Sequence, residues 1–174
     1  SEGKPHQVML ISHTGDKADE FSEYSRNIVR DVDSDGFSHY RNVFPSIRFS
    51  KSRQSAGEWG LMQSGSPHLE EPFPTMTTGS MAAPPVGSGA DLLIIDDPLK
   101  SARDARSPAV QTMQFKSYQE GLRTRLNSPD SSVLITLTRW NISDIAGQLL
   151  RLMHNDPLAD QWVIVHLSLI HISE

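Results

Sequence analysis

The run Asp91-Leu92-Leu93-Ile94-Ile95-Asp96-Asp97-Pro98 constrains this chain more than any other stretch. Four branched apolar residues in succession read as a strand buried on both faces, as in a parallel sheet. Pro98 stops the strand and leaves two carboxylates at its carboxyl end. In open α/β sheets, ligands sit at that edge. Parallel strands also need crossover connections, so helices have to alternate with strands.

The rest of the chain supplies that alternation. Gln7-Val8-Met9-Leu10-Ile11-Ser12 is a short apolar strand, followed by His13-Thr14-Gly15-Asp16 in turn chemistry. Ala18, Phe21, Tyr24, Ser25, Ile28 and Val32 recur at helical spacing and predict an amphipathic helix with that stripe on the core. Residues 33–44 are polar and turn-rich. Residues 46–50 alternate like a half-buried strand, and 58–62 with 75–81 form a candidate hairpin across a loop at 64–74. Ser107-Pro108 opens a helix that Val110, Met113, Phe115, Tyr118, Leu122 and Leu126 carry onward. Residues 132–138 form a second buried strand. Asn141 or Ser143 caps a helix through Ile145, Leu149 and Met153, and Trp162-Val163-Ile164-Val165-His166 starts a last strand. The sum is an α/β fold with a mainly parallel sheet covered on both sides.

Composition narrows the chemistry. The 174 residues suit one domain or part of a larger one. Cysteine is absent, which removes disulfide scaffolds, cysteine-based zinc sites and thiol nucleophiles, and suggests an intracellular protein. The formal net charge of −5 argues against nucleic-acid binding by bulk charge, leaving only a local basic patch. No apolar run is long enough to cross a bilayer. The seven histidines show no pair at helical metal spacing.

The strand ending in Asp96 and Asp97 has the form of a Walker B strand. Asp96 can hold Mg²⁺ through its water shell, since Mg²⁺ takes one or two protein carboxylates plus phosphates. Asp97 can orient and deprotonate an attacking water, and phosphoryl transfer needs mainly positioning and charge neutralisation. A bland reading competes with this one, because Asp suits a strand-ending turn.

The stretch from Gly89 to Lys100 resembles the ATPase domain of tailed-phage terminase large subunits. So do Leu122-Arg123-Thr124-Arg125-Leu126, Thr136-Leu137-Thr138-Arg139-Trp140, Asp144-Ile145-Ala146-Gly147 and the early Val8-Met9-Leu10-Ile11-Ser12-His13-Thr14. The resemblance spans roughly residues 7–166. It implies a P-loop NTPase-like (ASCE) fold, in an ATP-hydrolysing motor that packages viral DNA into a procapsid. The implied cofactors are ATP and Mg²⁺. The implied partners are double-stranded viral DNA, the portal protein of the procapsid, the terminase small subunit and further copies in a ring. The implied place is the cytoplasm of the infected bacterial host, away from any membrane. On this mapping Asp96 is the metal-associated acid and Asp97 replaces the catalytic glutamate. Thr136 to Thr138 matches the coupling motif, with Thr138 sensing phosphate or water, or else only satisfying local backbone. Arg139 reaches a phosphate or a neighbouring subunit, or simply packs with Trp140.

The chain departs from the family in one respect. A Gly-x-x-x-x-Gly-Lys-[Ser/Thr] loop is missing, and Gly87-Ser88-Gly89 is too short, lacks the lysine and leads into a strand. The expected fold is therefore incomplete, without the phosphate loop and its strand. The loop is expected upstream of Ser1 and the nuclease domain beyond the other end. Residues 1–166 are expected to be a partial motor domain, inactive alone, and 167–174 a tail translated from a sequencing adapter. Three rivals remain: another ASCE ATPase of helicase type, a Mg²⁺-dependent nuclease using Asp96 and Asp97, which would need more converging acids, and a non-catalytic structural piece.

Overall fold

The computed structural model describes residues 6–30, 39–63 and 74–167. Its strands are β1 (Val8–Ser12), β2 (Ile47–Gln54), β3 (Glu58–Gln63), β4 (Met76–Ser80), β5 (Leu92–Asp96) and β6 (Ser132–Thr136). Its α-helices are α1 (Gly15–Arg30), α2 (His39–Val43), α3 (Ala102–Ala105), α4 (Pro108–Lys116) and α5 (Ile145–Asn155). The strands form one α/β sheet in the order β2-β3-β4-β1-β5-β6. From β4 to β6 the strands run parallel, and β2 and β3 join antiparallel at the far side. The candidate hairpin does pair, Trp59 opposite Met76, and β3 pairs with β2 as well.

Register decides which side chains share a face. Leu93 lies between Met9 and Val133, and Ile95 between Ile11 and Ile135. These residues point to one face, where Tyr118, Leu122, Ile145 and Leu149 close over them. Met9, Ile11, Leu93 and Ile95 are fully buried. Burial of each such side chain contributes about 1.5–3 kcal/mol.

The other face carries Leu10, Ile94 and Leu134 in one row. Helix α1 packs mainly on β1 and β4, and Leu134 remains 50% exposed. Among the described residues, the expected cover on both sides of the sheet is therefore incomplete over β5 and β6. Helix α1 follows its hydrophobic pattern only in part, since Ala18 is buried and the later described residues of the stripe are not. Ala18, Ser22 and Arg26 face inward, while Phe21, Tyr24 and Ile28 are 39%, 70% and 54% exposed. Polar partners explain this orientation. The Trp59 indole Nε1 donates to the Ser22 hydroxyl at 2.9 Å, and Arg26 donates to the Gln54 carbonyl at 2.6 Å. Thr78 donates its hydroxyl to Asp19 beside them.

Several further expectations change. The polar stretch before β2 contains the short helix α2, and β2 runs on to Gln54. Residues 33–38, Val32 and most of the 64–74 loop lie outside the described residues, as does 168–174 of the expected tail. Ser107 caps α4 through the Val110 N–H and Pro108 opens it, as the sequence predicts. The helix then widens into a π turn at Ser117–Leu122 and tightens into a 3₁₀ turn at Arg123–Arg125. Two contacts hold the wide turn. The Ser117 hydroxyl donates to the Met81 carbonyl at 2.5 Å, and Gly121 passes close to Pro84.

Strand β6 ends at Thr136, two residues before Thr138. The cap of α5 is neither Asn141 nor Ser143 but Asp144, which accepts from the Gly147 N–H at 2.9 Å. The last predicted strand does not form. Trp162 is held by Met153, whose sulfur accepts its N–H at 3.1 Å, and its ring lies 6.3 Å from Tyr118. Val163 and Val165 beyond it are exposed. Among the described residues nothing pairs with the outer edge of β6.

Candidate functional site

The chain leaves β1 toward β2–β4, then crosses back over β1 to reach β5. The connections change side between β1 and β5, and in open α/β sheets ligands bind beyond the carboxyl ends at such a point. The turn His13–Gly15 borders it on one side and Asp96–Asp97 on the other. His13 Nδ1 lies 3.4 Å from the Ser12 hydroxyl.

Asp96 is the last residue of β5 and stands opposite Thr136, the last of β6. The Thr136 hydroxyl donates to Asp96 Oδ1 at 2.5 Å. Among the described residues the second carboxylate oxygen has no hydrogen-bond partner. The next N–H, of Asp97, donates to the Thr136 carbonyl at 2.9 Å and closes the ladder. Asp97 then turns with φ of 39°, a left-handed conformation that Asp tolerates better than most residues. Pro98 follows, buried, and its carbonyl accepts from the buried Gln114 side chain at 2.6 Å. Helix α4 therefore grips the turn from behind, and the Asp97 side chain stays exposed.

The remaining predicted site residues are placed differently. Thr138 is exposed beyond the strand end. Arg139 turns to the start of α5, where its Nε donates to Asp144 Oδ2 at 2.7 Å. Asp144 is fully buried and also caps the helix. Gly147 is required there, since a Cβ would lie 1.9 Å from the Ile142 carbonyl oxygen. The structure thus brings Asp96, Asp97 and Thr136 to one edge, and engages Arg139 elsewhere. Sequence reading missed Asp144 as the cap and Gln114 as the clamp. The acid three residues before Gly147 was the available signal for the first; Gln114, on a helix face, offered none.

Oxygen atoms dominate this edge: two carboxylates and the Thr136 hydroxyl. That set suits a hard divalent cation carrying phosphates. Among the described residues, no three His, Asp or Glu side chains gather into a self-sufficient metal cluster. No helix among them is long and apolar enough to cross a membrane. Compared with known proteins, the chain matches no family model and no curated protein.

Proposed function

We propose that this chain is the central part of an ATP-hydrolysing motor that packages viral DNA, with its chemistry at the carboxyl ends of β5 and β6. The observation that carries the reading is the Thr136 hydroxyl bound to Asp96 across the sheet register, beside the exposed Asp97. Strand-end acid and neighbouring strand-end hydroxyl are the pairing that a Walker B acid and a coupling motif require.

Asp96, oriented by Thr136, is the residue that would hold Mg²⁺ through its water shell. That ion supplies charge neutralisation on the phosphates. Asp97 lies outward on a fixed turn, where it accepts the proton of an attacking water. Thr136 and Thr138 report a change at Asp96 to the segment leading into α5. Arg139 acts by positioning that segment through Asp144, since reaching a phosphate would break its ion pair with a buried carboxylate.

The phosphate-binding amides and lysine have to come from a strand and helix outside these residues. The unpaired edge of β6 and the bare face beside Leu134 are consistent with that requirement. DNA, portal, small subunit and a ring of copies are the partners this reading names. The nuclease alternative is weaker, because two-metal sites need more converging acids than this edge offers. A helicase-type ATPase shares the same strand-end logic and is the alternative to test against.

The test has two arms. The parent coding sequence should carry a phosphate-loop motif before Ser1 and an acid-rich nuclease domain after the described residues. In that parent protein, Asp96→Ala should reduce ATP turnover by about 100-fold or more and abolish DNA packaging. Packaging that survives Asp96→Ala would refute the reading. ATP turnover without packaging, in a parent lacking the nuclease, would favour the helicase type.

A further inference from the structure

Asp97 holds a backbone conformation that its own sequence opposes. Its φ of 39° lies in the left-handed region, where a side chain is strained. Pro98, next in the chain, pushes the residue before it toward extended geometry. Such a conformation persists only where the surroundings over-determine it. We propose that Gln114 is the positioning residue that keeps Asp97 in this turn and so aims its carboxylate at the attacking water. This role rests on the motor reading.

Two hydrogen bonds bracket the turn. In front, the Asp97 N–H donates to the Thr136 carbonyl at 2.9 Å, one step past the β5–β6 ladder. Behind, Gln114 Nε2 donates to the Pro98 carbonyl at 2.6 Å. The pyrrolidine ring fixes the Pro98 φ, so holding that carbonyl leaves Asp97 little freedom to relax.

Gln114 is itself well fixed. It is 2% exposed, on the buried side of α4. Ser107 caps that helix, and Gln148 of α5 donates to the Gln111 carbonyl at 3.3 Å. Supports of this kind hold a working group in place. The chemistry of Gln114 fits the role. Among the described residues its buried Oε1 has no hydrogen-bond partner. That unmade bond offsets much of what the Nε2 bond contributes to stability. What the glutamine supplies, and an apolar residue of its size lacks, is an N–H aimed at the carbonyl behind Asp97.

The test has one arm on the full chain and one on the parent protein. Gln114→Met keeps the volume and removes the N–H. By NMR, Asp97 of the unmodified chain should show the strong intraresidue HN–Hα cross-peak of a positive φ. Gln114→Met should weaken it as the residue relaxes to extended backbone. In the parent, the same variant should lower kcat for ATP by about 10–100-fold, with KM changed by no more than about twofold. Gln111→Met is the matched control, because Gln111 Nε2 donates to the Ala105 carbonyl, also at 2.6 Å, and not to the turn. It should leave kcat and the Asp97 cross-peak unchanged. An undiminished cross-peak or an undiminished kcat in Gln114→Met would overturn the proposal, as would equal kcat losses in the two variants. Loss of folding in both Gln114→Met and Gln114→Leu would also overturn it, because the bond would then serve the whole fold. Asp96→Ala separates this role from the motor reading. If it abolishes turnover while Gln114→Met leaves kcat intact, the role of Gln114 falls and the motor reading stands. If turnover survives Asp96→Ala, both fall.

Discussion

The two faces of this sheet are built from the same strands and are treated very differently. On one, Met9, Ile11, Leu93 and Ile95 lie under Tyr118, Leu122, Ile145 and Leu149. On the other, Leu10 is covered by α1, but Ile94 is only half-buried and Leu134 is half exposed. Alternation along a strand sends equally apolar residues to both sides, so strand composition does not tell the faces apart. What separates them is the connection. The crossover from β5 to β6 carries α4 and its π turn, which pack on the Leu93 face together with α5. Among the described residues the other face receives α1, drawn toward β2–β4 because Asp19 and Ser22 accept from Thr78 and Trp59 and Arg26 donates to the Gln54 carbonyl.

The two edges repeat the contrast. Strand β2 displays Arg48, Lys51 and Arg53 and breaks its register between Phe49 and Gln54, both of which discourage pairing with another chain. Strand β6 reads Ser-Val-Leu-Ile-Thr, with no charge and no proline.

Mutations on the two faces should separate most widely at matched leucines. Leu93→Ala should cost about 2–5 kcal/mol by the usual sum of lost transfer and cavity terms. Leu134→Ala should cost less than about 1 kcal/mol, as at other weakly buried sites. Urea denaturation of both variants measures the gap, and equal losses would break the comparison.

A smaller effect comes from titrating the packed face. The Tyr118 pKa is raised from 10.0 to about 12 in the folded chain. Its contribution to stability is therefore complete below pH 10.0 and lost as pH rises through about 12. Two pKa units correspond to about 2–3 kcal/mol. Tyr118→Phe should flatten this alkaline limb, followed by denaturation at stepped pH. The smallest effect belongs to the outward stripe of α1. Phe21→Ser and Tyr24→Ser should each change stability by no more than about 0.5 kcal/mol, and a larger loss would mean that this face is covered in solution.

The sequence made the strands legible where the signal was local. The runs at 7–12, 92–96 and 132–136 each announce themselves as buried strands, and Ser107-Pro108 announces its helix. Local patterns failed where a distant partner decided. Helix α1 was read from its apolar period, yet Gln54, Trp59 and Thr78, far along the chain, turn its polar side inward. Residues 162–166 have the composition of a strand, but a strand exists only with a neighbour, and Trp162 is instead held by Met153 and Tyr118. The candidate site divides in the same way. Asp96 could be placed at a strand end from composition, but the second strand reads on to Thr138 while the structure ends it at Thr136, and the Asp96–Thr136 bond depends on a register that neither strand encodes alone. Arg139 looked available for a ligand because nothing in its own segment reveals how deeply Asp144 is buried.

The π turn at Ser117–Leu122 has a consequence for how this chain tolerates gain or loss of length. Such a turn holds one more residue than the α-helical turn it replaces. Deleting one residue there should let ordinary helical bonding resume, with the flanking segments keeping their faces. A deletion within α4 would instead rotate everything beyond it by about 100°. Single-residue deletions along this crossover are therefore expected to survive at one place, next to Gly121, and to be eliminated on either side.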